Sequence, residues 1–206
     1  MKAVRQWYRK RIARGELTLS GWSRRHSQLL RFEANRIYME RFLPQGKWSV
    51  ADFWCGTADF RLFMGSRIST YCGIEMRRDA RDFAKAFYQN TPGTLILQEV
   101  PETSPFGDAD VLVANAVYGF DCQDPVSDFK ALATVFKPRL VIADFFSRLR
   151  DCEPGVDGYR PFDPAALADE MRRAIGWKRF VVDHSFMPHV FTLVLIKGET
   201  PWEKKE

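Results

Sequence analysis

With 206 residues, 46% of them hydrophobic, the chain can bury one full-sized core, and its formal charge of +5 is concentrated at the N-terminal end, from Arg5 and Arg9 through Arg24, Arg25, Arg31 and Arg36. No apolar run approaches the roughly 20 residues of a membrane span, and the opening M-K-A-V-R-Q-W-Y-R-K-R lacks the apolar centre of a signal peptide. Cys55, Cys72, Cys122 and Cys152 form no C-x-x-C pair, which argues against a zinc site or a disulfide framework, so the expectation is a soluble, cytoplasmic protein with no metal.

Val4, Trp7, Tyr8 and Ile12 have helical spacing and end near Gly15, predicting a short amphipathic helix. Its basic face, interleaved with Trp7, Tyr8 and Trp22, reads either as a surface for RNA, DNA or an anionic small substrate, or as a solvated helix face. After the turn-rich T-L-S-G-W-S, Ser23 or Ser27 can cap a second helix with apolar positions Leu29, Leu30, Phe32, Ile37, Met39 and Phe42, broken by Pro44 and Gly46. Val50 to Phe53 reads as a strand, Trp54 to Ala58 as a tight turn, and a helix then leads to a second strand that ends at Glu75: a βαβ unit. In doubly wound sheets a ligand sits over the carboxyl ends of the strands, where an acid ending the second strand can accept ribose hydroxyls.

A crossover helix follows, with Ala80, Phe83, Ala84 and Phe87 on one face, closed by Asn90-Thr91-Pro92-Gly93. Thr94 to Leu97 and Asp110 to Ala114 read as strands, Asp128 to Phe136 as a further crossover helix, and Leu140 to Asp144 as the fifth strand. Phe145 to Pro164 is a long Gly/Pro-punctuated loop of the substrate-facing kind. Ala165 to Ile175 is a helix begun by Asp163 or Pro164, and Arg179 to His184 with His189 to Lys197 form a closing hairpin. His26, His184 and His189 are too dispersed for a metal site.

Two of these stretches carry a family signature. D-F-W-C-G-T-A-D-F from Asp52 to Phe60, followed by Y-C-G-I-E ending at Glu75, resembles the first two motifs of class I S-adenosylmethionine-dependent methyltransferases, D-x-G-x-G-T-G-D and Y-x-G-I-D/E. Trp54 stands at the first glycine and Ala58 at the third, leaving Gly56. The resemblance in element order extends from Ser49 to Gly198. It implies an α/β fold: a doubly wound, Rossmann-like, seven-stranded sheet with an antiparallel C-terminal hairpin strand, preceded by N-terminal helices.

The resemblance further implies S-adenosyl-L-methionine as cofactor, bound by Asp52, Trp54, Gly56, Ala58, Asp59, Glu75, Met76, Gln98, Glu99 and Asn115. Glu75 would take the ribose, and Gln98 or Glu99 the adenine amine. N-A-V-Y, from Asn115 to Tyr118, keeps the ends of the N-P-P-Y of amino methyltransferases, making Asn115 and Tyr118 the catalytic candidates, with Asp144 at a neighbouring strand end. Gly21, Trp22, Gln28, Arg31 and Phe32 resemble a block found ahead of the first strand in some bacterial and phage methyltransferases, so Trp22, Gln28 and Arg31 either line a lid over the site or pack on the sheet. The expected organisation is a helical extension or lid over residues 1–46, an α/β domain over 47–198 and a tail over 199–206.

The implied activity is methyl transfer to an N or O acceptor on a small molecule or nucleic-acid base. The alternative is a cofactor-binding or nucleic-acid-binding module with altered catalysis. A nicotinamide enzyme is disfavoured, because G-x-G-x-x-G is absent and the chain ends in a hairpin. Trp54 must turn its indole into the core or raise it towards the transfer cavity beside Asn115 and Tyr118.

Overall fold

The structure is a computed structural model that describes residues 10, 13–14, 25–90, 94–99, 103–118, 124–148, 161–185 and 190–198. Most of the expected first helix, Trp22, the centre of the long loop and the tail lie outside the described residues.

Seven strands form one sheet: β1 Trp48–Phe53, β2 Ile68–Ile74, β3 Thr94–Gln98, β4 Val111–Tyr118, β5 Leu140–Phe146, β6 Arg179–Asp183 and β7 Val190–Ile196. Their order is β3-β2-β1-β4-β5-β7-β6. The first five run parallel, and β7 lies antiparallel between β5 and β6. The order reverses between β1 and β4, the point where doubly wound sheets open a crevice at their carboxyl ends. Among the described residues five α-helices flank the sheet: α1 Arg25–Phe42, α2 Asp59–Met64, α3 Arg78–Tyr88, α4 Pro125–Phe136 and α5 Pro164–Ile175.

Strand alternation divides the core in two. Ala51 and Phe53 of β1 pack with Phe129, Phe136 and Met171 beneath α4 and α5. Val50, next to Ala51 and so on the opposite face, packs with Phe32, Met39, Phe60 and Ala84 beneath α1 to α3. On the first face α5 starts as the sequence suggests, while α4 starts three residues before the expected Asp128: Asp124 and Asp163 cap α4 and α5 by accepting the N–H of Ser127 and Ala166, each with proline at the first helical position.

Two expected helix faces are turned. Ser27 lies inside the first turn of α1 rather than capping it. Leu29, Leu30 and Ile37 are exposed, while Gln28, Arg31 and Asn35 are buried with Phe32, Tyr38 and Met39. The rotation is explained by hydrogen bonding, since each buried polar residue of α1 finds a partner on the sheet side. On α3, Ala80, Ala84 and Tyr88 form the buried stripe, and Phe83 and Phe87 stack on each other in solvent, ring centres 6.0 Å apart. Two alanines let that helix approach the sheet closely, so the bulkier stripe is left outside.

Candidate functional site

The turn after β1 keeps a glycine-like backbone with few glycines. Trp54, Gly56 and Ala58 have φ of 59°, 58° and 60°, all left-handed. For a residue with a Cβ that conformation costs about 1 kcal/mol or more, so at Trp54 and Ala58 it must be imposed by surroundings. The imposing contacts are visible. Cys55 donates its N–H to the Ile74 carbonyl (3.2 Å), Ala58 its N–H to the Cys55 carbonyl (2.9 Å), and the Tyr88 hydroxyl donates to the Ala58 carbonyl (2.9 Å). Gly73 of β2 permits the close approach: a Cβ there would stand 2.5 Å from Cys55 Sγ and 2.8 Å from Leu97 Cδ2.

Glu75, expected to face the ribose, ends β2 and is buried. Its Oε2 accepts the Gly56 N–H at 2.9 Å, and its Oε1 accepts the Arg77 N–H at 2.8 Å and lies 3.4 Å from Arg77 Nε. Met76 beside it is half-buried. Asp59 accepts from Thr57 Oγ1 (2.8 Å) and from Gln28 Nε2 of α1 (2.9 Å). At the end of β3, Gln98 donates to the Thr103 carbonyl at 3.0 Å while its Oε1 is buried with no hydrogen bond. Glu99 is exposed and pairs with Arg81 Nη2 at 3.0 Å.

The indole of Trp54 is half-buried, 5.5 Å from the Phe53 ring, and packs on the core under α4 and α5, the face opposite that of Cys55 and Ala58. It therefore leaves the other face of the turn clear.

Asp52, one residue before the end of β1, is fully buried; its Oδ2 accepts from Tyr71 Oη at 2.5 Å, and its Oδ1 makes no hydrogen bond of good geometry although the Asn115 side chain stands close enough to favour the carboxylate. Burial pushes its pKa up to about 7 against the Tyr71 hydrogen bond, with the nearby Glu75 charge adding to the rise. Asn115 of β4 is buried, accepts from Asn35 Nδ2 at 2.5 Å, and has its own Nδ2 unpaired. It sits where the β4–β5 ladder loses register, between Ala114 and Tyr118. Tyr118 closes β4, with its backbone opposite Phe145.

Asp144 of β5 is buried in an ion pair with Arg31 Nη1 and accepts from Thr192 Oγ1 at 2.8 Å. Burial raises the Asp144 pKa and lowers that of Arg31, each opposed by the partner's charge. Asp144, Thr192 and Asp183 stand side by side across β5, β7 and β6, and Tyr38 of α1 donates to Asp183. Gln28, Arg31, Asn35 and Tyr38 thus dock one stripe of α1 onto four elements. Of these, Gln28 and Arg31 were legible as site candidates, whereas Asn35, Tyr38, Tyr71 and Tyr88 carried no motif.

Glu75 ends β2 at the turn, and Asp52, Asn115 and Gln98 place unpaired buried polar atoms at the carboxyl-terminal parts of β1, β4 and β3. Such atoms are costly unless something occupies them. These two acceptors and one donor lie on β3, β1 and β4, three of four contiguous strands with Glu75 following the fourth, a set that an elongated polar cofactor of the nucleoside type could meet.

No protein-family model matches the sequence, and no curated protein matches it. Solved structures do match by shape. Magnesium protoporphyrin IX methyltransferase from Synechocystis PCC 6803, crystallised with S-adenosylhomocysteine, aligns with TM-score 0.60 and 13% identity over 84% of each chain. A SAM-dependent methyltransferase from Aquifex aeolicus aligns with TM-score 0.57 and 13% identity over 84% of this chain and 93% of its own. Another from Mesorhizobium loti gives 0.58 and 12% over 82% and 98%. Among the described residues no helix is long and apolar enough to cross a membrane. With these likenesses, the seven-stranded sheet and its reversed final hairpin give the chain the class I S-adenosylmethionine-dependent methyltransferase fold.

Proposed function

We propose that the protein binds S-adenosylmethionine and transfers its methyl group to an N or O acceptor on a small molecule or nucleic-acid base. The observation that carries this reading is the turn: two residues with a Cβ, Trp54 and Ala58, are held left-handed on either side of Gly56. Backbone strain of this kind, held in place by the surrounding structure, clusters at ligand sites, and that supports the reading. Glu75 would hold the ribose, Gln98 the adenine amine, and Asp52 with Asn115 the end of the cofactor nearest the transfer. Bound there, the cofactor supplies an electrophilic methyl carbon. The chain's own part is to orient the acceptor and exclude water, for which Asn115, fixed by Asn35 and lying at the irregular stretch of β4, is suitably rigid.

A second reading, a binding module with altered catalysis, is favoured by one observation: both Glu75 oxygens are already engaged by Gly56 and Arg77. Incubating the protein with S-adenosylmethionine labelled on the methyl group, together with small-molecule or RNA and DNA fractions, separates the two. Label appearing in an N- or O-methylated product supports transfer. Saturable cofactor binding with no label transferred to any fraction supports the module.

A further inference from the structure

The motif that resembles the family's has lost two glycines, yet the backbone has kept the conformation that glycine would give. Something outside the motif must hold it. At the second substituted position the agent is visible: Ala58, buried at φ 60°, accepts on its carbonyl the hydroxyl of Tyr88 at 2.9 Å, across 30 positions of sequence. That same carbonyl receives the N–H of Arg61 at 3.1 Å, so the Tyr88 bond fixes the point where the turn becomes α2.

Tyr88 is itself firmly placed. It is the last residue of α3, in register with Ala80 and Ala84 on the stripe that packs against the sheet, and it is buried. The Arg61 guanidinium lies over its ring, 4.9 Å from the centroid, and Phe87 meets the ring edge-on at 4.9 Å. Arg61 belongs to α2, so the ring is clamped by the helix that its hydroxyl helps to start. Burial also pushes the phenol pKa up to about 12, so the hydroxyl, protonated at neutral pH in any case, stays a donor in more alkaline solution too.

Resting on the cofactor reading above, we infer that Tyr88 is a positioning residue of the cofactor site: its hydrogen bond does for Ala58 what a glycine at that place would do through its own conformational freedom. The role is conditional on the alanine. A glycine at position 58 adopts positive φ at no steric cost and needs no tether. Tyr88 and Ala58 therefore form a coupled pair, and the coupling, rather than the loss on removing Tyr88 alone, is the signature.

The test uses the whole chain as parent, Tyr88→Phe, Ala58→Gly and the double variant. S-adenosylhomocysteine affinity is read by calorimetry and the Ala58 and Arg61 amides by hydrogen exchange. The phenylalanine keeps the ring and its packing, and urea unfolding reports on the fold. Tyr88→Phe should weaken S-adenosylhomocysteine binding about tenfold and speed exchange of both amides by about the same factor, as expected for the loss of one of the two buried hydrogen bonds to the Ala58 carbonyl, the Arg61 N–H remaining. In the Ala58→Gly background the same change should alter either quantity by less than about threefold, because the strain that the bond opposed is gone. Equal losses in both backgrounds, or no change in either, would overturn the inference and assign Tyr88 to packing alone. If the parent binds no S-adenosylhomocysteine, the cofactor reading falls, and the exchange rates decide the Tyr88–Ala58 coupling by themselves.

Discussion

Glu75 and Gly56 are joined by a hydrogen bond of 2.9 Å from the glycine N–H to the carboxylate, which ties the end of β2 to the turn that follows β1. Glu75 has two tasks in consequence, holding the turn and offering an acceptor at its rim. Glu75→Ala should lower S-adenosylmethionine affinity by on the order of 10- to 100-fold and cost roughly 1–3 kcal/mol of stability through the unpaired Gly56 amide. Glu75→Gln, which can still accept from Gly56, should lose affinity with less effect on the urea midpoint. Unchanged cofactor affinity in a folded Glu75→Ala would refute the ribose assignment.

The ion pair of Arg31 and Asp144 predicts an asymmetry. Arg31→Met alone leaves a buried carboxylate unpaired and should destabilise by about 3–5 kcal/mol, whereas Arg31→Met with Asp144→Leu should recover most of that loss. Chemical unfolding of Arg31→Met, Asp144→Leu and the double variant checks this. Additive losses would show that the two residues act independently.

Asp52 makes stability depend on pH. Its folded pKa, about 7, lies above the ordinary value of 3.8, so the folded state holds the proton more tightly than the unfolded one. The corresponding stability is complete below the unfolded pKa and is lost as pH rises through the folded one, at about 1.4 kcal/mol per unit. Asp52→Asn should therefore gain on the parent between about pH 4 and 7, by at most on the order of 4 kcal/mol, and hold that gain above. Urea unfolding across that range is the measurement. Parallel curves for parent and variant would mean that Asp52 titrates normally in the folded chain.

How much of this was legible depended on which physical signal dominated locally. Strand positions followed from apolar runs, and the structure moved most of their ends only slightly: β1 starts at Trp48 rather than Val50, and β5 runs on to Phe146. β4 was read short at Ala114 and runs to Tyr118, because its polar Asn115 looks like a strand end. The caps at Asp124 and Asp163 obey local chemistry, and Asp163 was readable for that reason. The buried face of α1 was not readable. Hydrophobic periodicity nominates Leu29, Leu30 and Ile37, but Gln28, Arg31, Asn35 and Tyr38 are drawn inward by Asp59, Asp144, Asn115 and Asp183, which come together only in the folded sheet. In the same way Tyr88 has no sequence mark, because its partner is a backbone carbonyl 30 positions away.

Trp54 separates two geometries of the site. Its indole packs on the core on the α4 and α5 side with Phe53; if its exposed part also walls the transfer cavity, it would meet a sulfonium by cation–π attraction of about 0.5–2 kcal/mol. Trp54→Gly should then bind S-adenosylmethionine several-fold more weakly and discriminate less between it and uncharged S-adenosylhomocysteine. Tighter binding by the glycine variant would mean that the indole occupies space the cofactor needs.

The central claim is that a turn with one glycine of three, held left-handed from outside, still cradles S-adenosylmethionine. Titration calorimetry of S-adenosylmethionine and S-adenosylhomocysteine into the full chain, beside Glu75→Ala, tests it most directly. A saturable one-to-one isotherm for both ligands in the parent, weakened on the order of 10- to 100-fold in the variant, is the expected result; a parent that is folded by its urea transition yet gives no binding heat and no change in that transition with either ligand would contradict it.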